Sequence, residues 1–110
     1  MNYFTFVHLF HIIFVGGLFL YVGIKRTQIP KLLYPFLLVL GIVIIFYHSY
    51  KAYGYFKSSK PYWFNLIHIF IIGPILINIG FYKENTKRPY FDILLMLAFA
   101  SIGYHAYQLF

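Results

Sequence analysis

The run Leu32–Tyr50, LLYPFLLVLGIVIIFYHSY, holds nineteen residues without a single Asp, Glu, Lys or Arg. As an α-helix rising 1.5 Å per residue it extends about 28 Å, close to the hydrocarbon thickness of a bilayer. Three further uncharged runs lie around it, Met1–Ile24, Pro61–Tyr82 and Ile93–Phe110. Inside a membrane only helices or closed barrels satisfy the backbone, and these runs lack the apolar–polar alternation of barrel strands. The chain therefore reads as an all-α integral membrane protein with four transmembrane helices. Their spans fall at about 3–24, 32–52, 62–82 and 90–109.

Composition agrees. Apolar residues make up 62% of the 110, aromatics 25% and charged residues only 10%. A soluble domain of this size leaves a large share of its surface wet, and the chain has too little polar material to cover it. The net charge of +7 would suit a nucleic-acid binder if it lined a groove. It falls instead in short clusters between the apolar runs, as membrane-flanking charges do. With no cysteine, disulfides, thiolate metal sites and cysteine nucleophiles are excluded.

Short connections make consecutive helices antiparallel neighbours in one up-down bundle. One membrane side then carries Lys25, Arg26, Lys31, Lys83, Lys87 and Arg88, and the other only Lys51, Lys57 and Lys60. The excess of positive charge marks the cytoplasmic side, so both termini are expected to be non-cytoplasmic. No Lys or Arg precedes the first span and no small-x-small cleavage site follows it, which argues against a cleaved signal peptide. Tyr21, Tyr34, Tyr50, Tyr53, Tyr55, Tyr62, Trp63 and Tyr82 stand near span ends, where interfacial aromatics belong.

At a shift of 57 residues the chain matches itself. His11-Ile-Ile-Phe-Val-Gly16-Gly17 falls on His68-Ile-Phe-Ile-Ile-Gly73-Pro74, Gly23 on Gly80, and Tyr47-His48-Ser49-Tyr50 on Tyr104-His105-Ala106-Tyr107. The single domain 1–110 thus reads as two tandem helical hairpins, residues 1–57 and 58–110. Two copies with an even number of spans share one orientation, which predicts a pseudo-two-fold axis along the membrane normal. His8 is unmatched, because Asn65 occupies its repeat position.

The repeat makes the histidines the candidate site. His11, His48, His68 and His105 each lie a few residues inside the same membrane face, roughly 5–12 Å deep, with His8 about one turn nearer the surface. Ionisable side chains within a span are functional candidates by default. Ala98, Ser101, His105 and Gln108 share one helix face, as do Gly41 and His48, and such small residues mark helix contacts rather than lipid. The plain alternative is that the imidazoles only tie helices together by hydrogen bonds.

Bare Zn²⁺ or Cu²⁺ accepts imidazole readily. The only carboxylates, Glu84 and Asp92, belong to the opposite face, leaving a divalent ion uncompensated near hydrocarbon. Haem b avoids that cost because its porphyrin is a dianion, and two axial histidines in a four-helix bundle are an ordinary host for it. Neighbouring helix axes, 8–10 Å apart, are too close for a haem with an imidazole on each side. The diagonal pairs, His11 with His68 or His48 with His105, are the expected clamps, and both cannot serve at one depth. Propionates at that surface would meet Lys51, Lys57 or Lys60, or the tyrosine hydroxyls.

Three functions follow from the residues. One is haem-based electron transfer within the membrane, with a membrane redox partner. Another is a Cu, Zn or proton site in a transporter or channel subunit, completed by homo-oligomerisation because no polar path crosses one chain. The third is a structural membrane protein with no cofactor. No hydrolase or transferase signature is present. Pro74 is expected to kink the third helix.

Overall fold

The computed structural model describes residues 2–110, and its regular structure is entirely helical. Helix α1 spans Tyr3–Gln28, α2 Leu33–Lys57, α3 Trp63–Asn85 and α4 Arg88–Leu109. The first three are long and apolar enough to cross a membrane. Helix α4 has sufficient length at 22 residues. Asp92 near its start and the polar tail Tyr104-His105-Ala106-Tyr107-Gln108 make it less apolar, and it does not join the other three.

Large apolar side chains stand exposed midway along every helix. Phe14 is 65% exposed, Phe46 73%, Phe70 71% and Met96 69%. In water such surface would be a severe liability, whereas a lipid bilayer accommodates it.

The helices form two compact units, one holding α1 and α4, the other (Pro30–Thr86) holding α2 and α3. Each unit therefore takes one helix from residues 1–57 and one from 58–110. Small residues let the backbones close up in both. In the α1–α4 unit, a Cβ on Gly23 would lie 3.1 Å from the Leu95 backbone, and one on Gly16 2.5 Å from Ile102. In the α2–α3 unit, a Cβ on Gly80 would lie 2.6 Å from both the Leu38 nitrogen and the Tyr34 carbonyl oxygen. One on Gly41 would lie 2.8 Å from the Gly73 carbonyl oxygen. Leu95 and Ile102 stand 57 residues after Leu38 and Ile45, the side chain that meets Gly73.

The buried rows also recur at that spacing. Tyr34, Leu37 and Gly41 of α2 correspond to Phe91, Leu94 and Ala98 of α4, and Phe19 and Val22 of α1 to Leu76 and Ile79 of α3. Intervals of three and four keep each row on one helical face. Tyr34, expected as an interfacial aromatic, is instead 1% exposed. It holds the position of Phe91, and its ring serves the same filling purpose.

Two backbone irregularities share the spacing. Residues His11–Val15 and His68–Ile72 are π-helical, each segment opening on a histidine and ending before a glycine. Where Pro74 was expected to kink the third helix, the irregularity shown is the π-helical turn just before Gly73. The position matching Pro74 is Gly17, which has an amide hydrogen, and α1 widens in the same place. The widened turn therefore does not depend on a missing N–H. Near the other end, Arg26 and Lys83 adopt φ 53° and 52° with ψ −124°, a region suited to glycine. Each starts a 3₁₀ turn that closes its helix, and the Thr86 hydroxyl then donates back to the Ile79 carbonyl at 3.3 Å.

Helix α1 starts at Asn2, whose Oδ1 accepts from the Thr5 amide at 2.8 Å, an N-cap. Helix α2 runs five residues beyond the expected end, to Lys57. There Ser59 takes φ 58°, the Lys60 amide donates to the Tyr55 carbonyl and the Ser59 amide to the Phe56 carbonyl. These are the two bonds of a Schellman motif, made without glycine.

Candidate cofactor site

The candidate histidines gather by unit. His8, His11 and His105 meet in the α1–α4 unit, and His48, His68 and Asn65 in the α2–α3 unit. Their local geometry begins with the π segments. Nδ1–H of His11 donates to the Val7 carbonyl four residues back at 2.8 Å, and Nδ1–H of His68 to the Phe64 carbonyl at 2.7 Å. A neutral imidazole bound this way carries its lone pair on Nε2. Metal-ligating histidines are fixed in the same manner, the second ring nitrogen donating to a carbonyl so that tautomer and orientation are set.

Each of these rings lies against a histidine of the facing helix. The His11 and His105 ring centroids are 4.5 Å apart with planes at 22°, and those of His48 and His68 are 3.9 Å apart at 18°. Two axial imidazoles, each bonded to one metal at about 2 Å, point at each other end-on. Stacked rings cannot do so, so neither His11 with His105 nor His48 with His68 can sandwich a single haem in this arrangement. Each unit presents one backbone-oriented imidazole, with a second histidine ring covering its face.

The facing histidines are themselves held. Nδ1 of His105 lies 2.7 Å from Nδ1 of His8, so one donates and the other accepts. Nδ1–H of His48 donates to Oδ1 of Asn65 at 2.8 Å. Asn65 was expected only as the residue that leaves His8 without a repeat partner. It performs the task of His8, orienting the imidazole of the facing helix. The signal was present in the 57-residue alignment, which sets an amide oxygen where the other copy has an imidazole nitrogen. His8 is 8% exposed and Asn65 5%, so both of these hydrogen bonds hold groups that are largely out of solvent. The edge of the Phe4 ring closes on His8 at 4.4 Å between centroids.

Among the described residues, no group of three or more His, Cys, Asp or Glu is arranged to hold a metal ion. The ion pair Arg88–Asp92, at 3.7 Å, lies on the exposed surface of α4 and takes no part in the histidine sets. Compared with protein families, curated proteins and solved structures, the chain matches none.

Proposed function

We propose that the protein crosses the membrane with four helices, both termini on the non-cytoplasmic side, and binds haem b for electron transfer within the membrane. Nε2 of His11 in the α1–α4 unit, and Nε2 of His68 in the α2–α3 unit, each serve as an iron ligand in this reading. The observation that carries it is the same local hydrogen bond at each ring, within its own helix. Both have Nδ1–H committed to a backbone carbonyl and both stand at the start of a π segment, a distortion that recurs at functional sites. His105 and His48 cover the ligand rings and restrict their rotation. Bound haem supplies one-electron chemistry, and the porphyrin dianion suits a region without carboxylates better than a bare divalent ion does.

The test is a visible spectrum of the detergent-purified protein, expressed with haem precursor and recorded oxidised and dithionite-reduced. A Soret band that shifts on reduction, with sharp α and β bands, is expected. The bands should vanish in His11→Ala, His68→Ala and survive in His8→Asn. A colourless protein would sink the haem reading and leave the hydrogen-bonded imidazoles as ties between helices.

A further inference from the structure

Helix α2 is 25 residues long, about 37 Å at 1.5 Å per residue, and so outruns a hydrocarbon core of about 30 Å. Its last two turns and the returning chain form an open groove of about 410 Å³ lined by Tyr50, Lys51, Tyr53, Gly54, Tyr55, Lys57, Ser58 and Lys60. We propose that this groove binds the phosphate headgroup of an anionic phospholipid. The proposal rests on the membrane reading given above and is independent of haem.

Charge carries the first part. Three of the eight lining residues are lysines and none is a carboxylate, while Glu84 of the same unit lies at the far end of α3. Lys51 rests over the Tyr47 ring at 5.8 Å and Lys57 over the Tyr53 ring at 5.3 Å. Neither contact neutralises the ammonium group, so each remains available to an anion. Lys57 and Lys60 stand nine and twelve residues beyond His48. Nine residues of helix are about 13 Å, which separates Lys57 from the histidines and leaves only Lys51, one turn away, near their depth.

Shape carries the second part. Gly54 sits mid-helix, and a Cβ added there would meet nothing within 4 Å. Glycine inside a helix is unfavourable by about 1 kcal/mol relative to alanine, and no neighbouring helix needs the space. Gly54 itself lines the groove, so the open space above it belongs to the groove. Tyr50 and Tyr53 are 75% and 62% exposed, amphipathic rings at the level where glycerol and phosphate begin.

The sole tryptophan, Trp63, lies three residues beyond Lys60 and reports on this surface. The protein is reconstituted in phosphatidylcholine vesicles containing a small fraction of either brominated phosphatidylglycerol or brominated phosphatidylcholine, and Trp63 fluorescence is recorded. Brominated phosphatidylglycerol should quench at a mole fraction roughly three- to ten-fold lower. The preference should disappear in Lys51→Gln, Lys57→Gln, Lys60→Gln and in the milder pair Lys57→Gln, Lys60→Gln. It should persist in Lys83→Gln, Lys87→Gln at the opposite end. Circular dichroism checks that every variant keeps its helix content. Equal quenching by the two lipids overturns the headgroup site alone, whereas quenching by neither overturns the membrane reading with it. Loss of the preference on adding inorganic phosphate at constant ionic strength would assign the groove to free phosphate and overturn the lipid assignment.

Discussion

Nδ1 of His48 donates to Oδ1 of Asn65 across 2.8 Å, and this contact decides which ring nitrogen of His48 carries the proton. Asn65→Leu keeps the side-chain volume and removes the acceptor from a site that is largely out of solvent. A loss of about 1–2 kcal/mol is expected in reversible unfolding from detergent. Asn65→His, which copies the His8–His105 pairing, should recover most of it. Equal stability of all three proteins would show that the contact contributes nothing.

The converse exchange applies to the other unit. His8→Asn gives the α1–α4 unit the amide acceptor of its counterpart and should leave stability within about 0.5 kcal/mol of the parent. His8→Phe removes the polar partner of His105 and should cost about 1 kcal/mol, the usual size of a polar contact between membrane helices. Thermal unfolding of the two variants side by side decides it.

Gly80→Ala drives a methyl group into the Leu38 nitrogen and the Tyr34 carbonyl oxygen, each 2.6 Å away. Backbone atoms cannot swing aside as a flexible side chain can, so α2 and α3 must separate. A cost of about 1–3 kcal/mol is expected. Gly17→Ala meets nothing within 4 Å and should be neutral or slightly favourable through helix propensity. Comparable losses at the two sites would contradict the close packing at Gly80.

Arg26 and Lys83 hold a backbone conformation that favours glycine. Lys83→Gly relieves it without removing any hydrogen bond observed for that side chain, and should stabilise the protein by about 1 kcal/mol or more. Arg26→Gly should act in the same direction. The two effects should add when combined, because the residues belong to separate units. A lower unfolding temperature for Lys83→Gly would refute this.

Helix positions were largely legible because uncharged runs of eighteen or more residues leave little choice of structure. The ends were less so. The last turn of α2 is held by main-chain bonds from Ser59 and Lys60, and neither residue is the glycine that announces such a motif in sequence. His11, His48, His68 and His105 could be singled out because a single shift aligned them. Their partners could not be read. Antiparallel connectivity makes α1 and α2 neighbours along the chain, while the compact pairs are α1 with α4 and α2 with α3. Which faces meet depends on where small residues let backbones close up, at Gly23 against Leu95 and Gly80 against Leu38. His11 accordingly lies on the His105 ring of its own unit. The π segments left no trace in composition, since a widened turn uses the same residue types as the helix around it.

Those two wide turns make the protein unusually forgiving of a shortened chain. Deleting a residue from an α-helix normally misaligns every side chain on one side of the cut. Within His11–Val15 the deletion can be absorbed by the turn itself, which relaxes to ordinary α geometry with its hydrogen-bond ladder intact. The start of α1 then keeps nearly its angular setting relative to Gly16 and Gly23, because five residues of wide turn and four of α-helix each make little more than one revolution. His8 would stay against His105, and the helix pair below would stay closed. The extra residue in each wide turn is thus taken up locally, in α1 as in α3, without resetting the segment before it.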